Sequence, residues 1–477
     1  MTEPAPKAFP EQAPAEPPRD AVAESLDSGE EHGGVTPEQV LAVREAIAAG
    51  DLEKVAALVA DLHAADAASL ITQLDGAPRS TLIEALRGRL DAEVLASLEG
   101  RVQEEVLEQL GPQEVASAVA ELETDDAVHV LAALDDEVRD DVLESVPALE
   151  RGQIEQSLAY PEESAGRLMQ GAFIAMPEFW TVGQAIDYLR DADNLPDEFY
   201  ELFVTDPQQR PLGTIPLNRF LKAKRNVALR DIMDTDKKFL PTGMDQEQVA
   251  FQFSQYDLPS AGVVDDDGRL VGVIMIDDVV DVVREEVEED LLALSGVDEA
   301  GFARSVGVTT RARFPWLFAN VLTAFLAAAV IGFFEGTIQQ MVAAAVLMPI
   351  VASMGGNAGN QTVAVAVRAL ATHSLTTANA GRIVLNELLV GGANGIIFAV
   401  IVGIVGGLWF GRPGLGLVVG LAMFINLLAG ALAGILIPLG LDRAGIDPAV
   451  SSSVFVTTVT DVVGFFAFLG LVTVMLL

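Results

Sequence analysis

The C-terminal stretch from Pro448 to Leu477 constrains the fold most, because it is almost wholly apolar yet carries one carboxylate, Asp461, about halfway along. It is long enough to cross a bilayer as a helix. An ionised carboxylate at that depth costs roughly 2.5–3.5 kcal/mol on insertion scales, so we do not expect it to face lipid. Helical spacing places three small or polar residues on its face, Ser453, Thr457 and Gly464. This stripe predicts a pore wall; the alternative is an aspartate that hydrogen-bonds a neighbouring helix and transports nothing.

Charge is divided very unevenly along the chain. The 477 residues carry a net charge of −40, yet from Phe314 onward four arginines stand against five acids. The strongly acidic part of the chain before Phe314 argues against nucleic acid or an anionic membrane as partner and favours cations. A solvated surface suited to a salty cytoplasm explains the acidity equally well. The absence of cysteine excludes disulfides and thiolate metal sites, and four scattered histidines do not favour a zinc enzyme.

The N-terminal part has two textures. Residues 1–36 carry six prolines and hardly any large apolar side chains, so we predict a disordered tail. The tail lacks the basic and apolar regions of a secretory signal, which predicts a cytoplasmic N-terminus. From 37 to 157 a large apolar residue recurs every twelve positions, a spacing that predicts short helices stacked into an α-helical solenoid. The repeated residues are Leu62, Leu74, Leu86, Leu98, Leu110, Leu122, Leu134 and Val146.

The next part alternates strands and helices, with a hairpin signal at Asp267-Gly268. It divides into two β-α-β halves of similar size, residues 158–230 and 231–284. These halves resemble a tandem pair of cystathionine-β-synthase (CBS) domains, an α/β regulatory module.

The nucleotide positions of CBS domains are poorly matched here. In such domains a Thr or Ser and an Asp just after the last strand usually meet the ribose and phosphate of a bound nucleotide. In the first half Pro216 and Arg219 stand at those places, and in the second half Met275 replaces the hydroxyl residue. The residues therefore do not favour a bound nucleotide.

An acidic connecting helix is predicted over residues 285–313. Five of the six positions from 285 to 290 are acidic, and like charges three or four residues apart on a helix repel each other. Cations or a basic partner would relieve this repulsion, and the chain has few basic residues that could act as that partner. The alternative is a connecting rod whose charges are merely solvated.

Five apolar segments follow, each long enough to cross a membrane, so residues 314–477 are predicted to form a five-helix transmembrane domain. The segments are about 314–338, 341–369, 380–410, 414–440 and 449–476. Six arginines flank one side of them and only Arg412 the other. The positive-inside rule then predicts a multi-pass protein of the cytoplasmic (inner) membrane with its N-terminus in the cytoplasm and its C-terminus outside.

The second apolar segment carries Asn357, Asn360 and Gln361 among glycines, and these amides offer hydrogen-bonding groups to water or a hydrated ion. This segment reads Gly-Gly-Asn-Ala-Gly-Asn-Gln, and the last segment holds Thr-Val-Thr-Asp-Val-Val-Gly after an Asp-Pro-Ala. With these two motifs the chain, from about residue 40 to its end, resembles the MgtE family of magnesium channels. The resemblance implies a multidomain membrane protein: helical N domain, CBS pair, connecting helix and five-span domain.

The resemblance also implies a homodimer, with magnesium held on its two-fold axis by a pore carboxylate at Asp461. Further acids would bind cytosolic magnesium and lock the channel shut. They are Glu93 and Asp125 in the helical domain, Asp245, Glu247 and Asp278 in the second CBS half, Glu286, Glu289 and Asp290 in the connecting helix, and Asp447 at the mouth of the last span. Two positions depart from the family pattern: His129 stands where a further acid is expected, and Ser453 replaces an Asn.

We therefore predict a magnesium channel for uptake, closed by cytosolic magnesium. One carboxylate per subunit suits an ion that keeps several of its waters. An enzyme is not favoured, because no nucleophile and base are paired and the acids lie on separate domains. Two alternatives stay open: a carboxylate-coupled secondary transporter of magnesium or cobalt, which would be expected to show paired broken helices in repeated halves, and a membrane-anchored CBS sensor that transports nothing.

Overall fold

The computed structural model describes residues 34–192, 195–196, 198–294, 306–372, 374–375 and 379–477. These residues form two compact units. One runs to Leu122 and includes His129–Ala148, and the other contains Glu123–Val128 and the chain from Leu149 onward. Most of the predicted disordered tail, residues 1–33, lies outside the described residues. Thr36, which was assigned to that tail, caps the first helix by accepting a hydrogen bond from Gln39 N–H.

Short helices make up the N-terminal part. Each repeated apolar residue predicted from the sequence lies at the end of a helix or within three residues after it. Six of the eight are buried, whereas Leu62 and Leu122 are half-buried. Alternate helices pack on each other, which confirms the predicted helical domain. The helices are α1 (Pro37–Ala49), α2 (Leu52–Ala60), α3 (Ala64–Gln73), α4 (Ala77–Leu86), α5 (Ala92–Ala96), α6 (Gly100–Leu110), α7 (Pro112–Val119), α8 (Thr124–Ala132), α9 (Asp136–Ser145) and α10 (Ala148–Leu158).

Two three-stranded sheets of identical topology confirm the predicted CBS pair. In each, the first strand pairs parallel with the second and the second antiparallel with the third. The first half contains α11 (Ala165–Leu168), β1 (Ala175–Pro177), α12 (Val182–Asp191), β2 (Glu201–Thr205), β3 (Pro211–Pro216) and α13 (Leu217–Lys222), and then a 3-10 turn at Leu229–Asp231. The second contains β4 (Leu240–Pro241), α14 (Gln246–Tyr256), β5 (Ser260–Val264) and β6 (Leu270–Met275).

The two halves are joined more closely than the sequence boundaries suggest. Although α11 precedes β1, Ala165 and Met169 belong to the apolar core of the second half, and Gln170 pairs with Val273 of β6. Glu201 of β2, which is buried, forms an ion pair of 3.0 Å with Lys237 and accepts a hydrogen bond from Ser260 of β5. The pair therefore forms one body.

A single helix leaves the second CBS half without a linker. This helix, α15 (Ile276–Leu294), begins directly after β6, so the predicted boundary at 284/285 falls inside it. Part of the predicted connecting helix, residues 295–305, lies outside the described residues. The other end of α15 reaches the membrane helices, where Ala293 packs against an apolar cluster that includes Val363, Ala433 and Val456.

Five described helices are long and apolar enough to cross a membrane, as predicted. We call them spans 1 to 5: α16 (Val306–Phe333), α18 (Val342–Ala371), α19 (Ala380–Trp409), α20 (Pro413–Arg443) and α21 (Pro448–Leu476). A short helix, α17 (Glu335–Gln340), separates spans 1 and 2, so span 1 ends before the predicted residue 338.

Span 4 lies at the centre of the bundle and packs on spans 2, 3 and 5. Glycines allow its backbone to approach that of span 2 closely. A methyl group built on Gly430 would lie 2.7 Å from the Gly355 carbonyl oxygen, and one on Gly434 would lie 2.6 Å from the Gly359 carbonyl oxygen. Such helix contacts through small residues are typical of membrane proteins.

Candidate functional site

The polar residues of spans 2 and 5 form two adjoining faces. On span 2, Asn357, Asn360 and Gln361 are all exposed on a helix that is otherwise largely apolar. On span 5, Ser453, Thr457 and Asp461 follow each other at intervals of four residues and are all partly exposed. Ser453 Oγ donates a hydrogen bond of 3.3 Å to Asn360 Oδ1, which links the two faces. We call this combined surface the polar seam.

Gly464, predicted to line the pore beside Asp461, does not lie on the polar seam. It is buried, and a methyl group on it would lie 2.7 Å from Asn426 Nδ2 of span 4. The residue three positions after Asp461 is rotated about 60° from it around the helix, and the packing of span 4 covers that side. Gly464 is therefore a packing residue.

Among the residues that the structure describes, three acidic contacts lie outside the membrane spans, and each joins carboxylates from different elements. The first joins Asp125, at the start of α8, to Asp278 at the start of α15. Burial raises the pKa of both carboxyl groups; Asp126 raises that of Asp125 further, and Asp125 itself raises that of Asp278. Asp125 Oδ1 is buried without a hydrogen-bond partner among the described residues. Beside them Glu123 accepts a hydrogen bond from Gln170.

The second contact joins α14 to α15. Gln246 Nε2 donates a hydrogen bond of 2.8 Å to Glu286 Oε1. Burial, together with the carboxylates of Glu247, Glu289 and Asp245, raises the pKa of Glu286 to about 7, although the hydrogen bond from Gln246 opposes this shift. The predicted acids of the second CBS half and of the connecting helix thus meet here, because Asp245 and Glu247 begin α14 beside the exposed face of α15.

The third contact lies where α15 meets span 5. Burial raises the pKa of Asp290, and the carboxylate of Asp447 raises it further. Asp447 caps span 5 by accepting a hydrogen bond of 2.8 Å from the Ala449 N–H. This contact brings the end of the connecting helix to the mouth of the span that carries Asp461.

Not every predicted metal ligand takes part in these contacts. Glu93 is exposed in α5 of the other compact unit, as is His129 at the end of α8. In the part of the chain that the structure describes, no three acidic or histidine side chains are already arranged as a metal-ligand set. Each contact nonetheless places like charges where a divalent cation would reduce their repulsion, and magnesium needs few protein ligands because it retains several waters.

The charged side chains at the nucleotide positions of the two CBS halves make hydrogen bonds within the protein. Asp278 Oδ2 accepts a hydrogen bond of 3.2 Å from the Met275 N–H, and Arg219 donates to the Ile232 carbonyl oxygen. Both side chains are thus engaged within the protein. The sequence-based expectation against a bound nucleotide stays a prediction.

Sequence reasoning missed Asn426, which is fully buried in span 4. Its Nδ2 donates a hydrogen bond of 2.8 Å to the Val351 carbonyl oxygen of span 2. The available signal was a lone amide in an apolar segment, followed at intervals of four by Gly430 and Gly434.

Three family models match separate parts of the chain. A divalent cation transporter model named MgtE matches residues 348–471, which include both halves of the polar seam. The MgtE intracellular N domain matches residues 62–163, and the CBS domain matches residues 229–285.

Curated relatives extend the match. The magnesium transporter MgtE of Thermus thermophilus is 33% identical over 330 residues, which cover 68% of this chain and 73% of that protein. The magnesium transporter MgtE of Enterococcus faecalis is 32% identical over 312 residues, covering 65% of this chain and 69% of that protein.

Among solved structures, the cytosolic domain of the Mg2+ channel MgtE in complex with ATP is 30% identical, with a TM-score of 0.47, and covers 51% of this chain and 99% of that one. The two curated relatives cover more than two thirds of their own length at above 30% identity. This chain therefore belongs to the MgtE family of magnesium transporters, as the motifs in its second and last spans predicted.

Proposed function

We propose that the protein is a channel that admits magnesium to the cytoplasm and is closed when cytosolic magnesium binds its acidic contacts. The polar seam carries this proposal. It places Asp461, Asn357 and Asn360 on the surface of a bundle whose other exposed side chains are largely apolar. A carboxylate and amides facing lipid would be costly, so the seam requires a polar neighbour.

A second copy of the chain supplies that neighbour most simply. Two seams facing each other across a two-fold axis enclose a polar path with one Asp461 from each subunit. Two carboxylates hold a hydrated magnesium ion without a tight cage, so that the ion can bind and leave. The homodimer and the pore on its axis are therefore part of the proposal.

The acidic contacts support closure by cytosolic magnesium. Without a cation, the carboxylates of Asp125 and Asp278, of Glu286 with its neighbours, and of Asp290 and Asp447 repel each other. A bound cation favours the state in which they are close. In that state the end of α15 also packs against spans 2, 4 and 5, so cation binding and closure are coupled.

The arginines support the orientation. Arg311, Arg368 and Arg443 lie at the ends of spans that the helix order places on one side of the membrane, and Arg412 lies on the other. By the positive-inside rule the first side is cytoplasmic, which is also where the acidic contacts would sense magnesium.

Flux into proteoliposomes tests the proposal. Asp461→Asn should abolish magnesium entry, because it removes the charge that holds the ion while leaving the shape of the side chain. Asp442→Asn, an exposed acid at the end of span 4, is the matched control and should conduct like the parent. Full flux in Asp461→Asn would overturn the pore assignment. Flux that requires a proton gradient would instead indicate a coupled transporter.

A further inference from the structure

Asn426 is a buried amide with only half of its hydrogen-bonding capacity used. Its side chain is fully buried in span 4, and its Nδ2 donates to the Val351 carbonyl oxygen of span 2. Its Oδ1 has no hydrogen-bond partner among the described residues. An amide oxygen left unpaired in a buried site is destabilising, so leucine of similar size would serve packing better.

The amide sits between two glycines that belong to the two motifs of the transport region. A methyl group on Gly464 of span 5 would lie 2.7 Å from Asn426 Nδ2, and one on Gly355 of span 2 would lie closer still. Neither glycine can therefore be replaced without moving the amide. Asn426 thus fixes the distance between spans 2 and 5.

That distance matters because the polar seam is divided between these two spans. Gly355 lies two residues before Asn357, and Gly464 lies three residues after Asp461. Any shift of one span against the other at Asn426 changes how far the carboxylate stands from the amides. The spacing of such groups determines which hydrated cation they fit.

We infer that Asn426 is a positioning residue that sets cation selection by holding the two halves of the polar seam at a fixed spacing. The inference rests on the proposed channel function. Asn426 does not touch the ion, since its side chain is fully enclosed by protein. It acts through the Val351 carbonyl oxygen and the two glycines.

The first test is Asn426→Leu, with the flux of magnesium, cobalt and manganese measured separately in proteoliposomes. The ratio of magnesium to cobalt flux should fall severalfold, because the altered spacing of the carboxylate and the amides no longer fits the two hydrated ions as in the parent. Asn394→Leu is the matched control, because Asn394 is an exposed amide of neighbouring span 3. Its selectivity should equal that of the parent.

The second test uses the lack of space between Gly464 and the side chain of Asn426. Gly464→Ala alone should impair flux, because its methyl group displaces the amide. The double variant Asn426→Ala with Gly464→Ala gives the methyl group room, so its magnesium flux should exceed that of the Gly464→Ala variant. No recovery in the double variant would contradict the proposed contact.

The outcomes separate this inference from the channel itself. If the parent shows no Asp461-dependent flux, the proposed function fails. If that flux is present but Asn426→Leu keeps the parental selectivity, only the role of Asn426 fails. Loss of folded protein in both Asn426→Leu and the double variant would assign Asn426 a purely structural role and would also overturn the inference.

Discussion

Gln246 donates its side-chain amide to the carboxylate of Glu286 over 2.8 Å, and this hydrogen bond joins the second CBS half to the helix that enters the membrane. Burial and the carboxylates of Glu247, Glu289 and Asp245 oppose the ionisation of Glu286, although the hydrogen bond from Gln246 favours it, so lowering the negative charge around Glu286 should stabilise the contact. A proton or a divalent cation can do this. The magnesium response of the protein should therefore depend on pH.

The pH dependence has a defined sign. The pKa of Glu286 is raised to about 7 in the folded protein, so the stability it contributes is fully present below its unfolded value of about 4.3 and is lost as pH rises through 7. Without magnesium, the melting temperature of the protein should be lower at pH 8 than at pH 5.5. Glu286→Gln should reduce this difference; if the variant retains the whole of it, other acids are responsible.

Neutralising the acidic face of α15 should distinguish a helix that senses magnesium from a connecting rod whose charges are merely solvated. The triple variant Glu286→Gln, Glu289→Gln and Asp290→Asn should lose much of the magnesium-dependent protection from protease and of the inhibition of flux by magnesium. A solvated rod would lose only a few tenths of a kcal/mol of repulsion per pair and keep both responses. Asp281→Asn, an exposed acid earlier on the same helix, is the control and should respond like the parent.

The polar seam predicts a contact between subunits that a single cysteine can report, because the chain contains no cysteine. Asn357→Cys should form a covalent dimer with a short thiol-specific cross-linker in membranes. Ile397→Cys, exposed on span 3, should not. Efficient cross-linking at Ile397 with none at Asn357 would place the dimer interface elsewhere.

Close packing of spans 2 and 4 can be tested with two alanine variants of span 4. Gly430→Ala should lower the melting temperature in detergent, because its methyl group would lie 2.7 Å from the Gly355 carbonyl oxygen. Gly440→Ala, with no neighbour within 4 Å, should be neutral or slightly stabilising, since alanine is favoured over glycine in helices by about 1 kcal/mol. Equal melting temperatures for the two variants would contradict this packing.

Features that depend on residues close together in the sequence could be predicted, whereas features that depend on residues far apart could not. The five spans, the two CBS sheets and the polar faces of spans 2 and 5 were predicted, because hydropathy and helical periodicity are local properties. The orientation of Gly464 was not, since it depends on Asn426, 38 positions away in the sequence. Asn426 itself was missed for the same reason, because Val351 lies 75 residues earlier.

The acidic contacts illustrate a different limit. Repulsion along α15 was visible in the sequence, but that Asp245 and Glu247 lie beside Glu286 came only from the family resemblance. Helical spacing relates residues within one helix, whereas this contact depends on how α14 packs on α15. Charge clusters thus indicate that cations are favoured without indicating which elements they join.

The direct passage of β6 into α15 has a mechanical consequence. Met275 is the last residue of the strand and Ile276 the first of the helix, and the 19-residue helix is about 28 Å long. With no hinge at its start, the helix acts as a stiff lever arm fixed in the sheet. Any tilt of the CBS half is then magnified into a larger displacement at the membrane end of the helix.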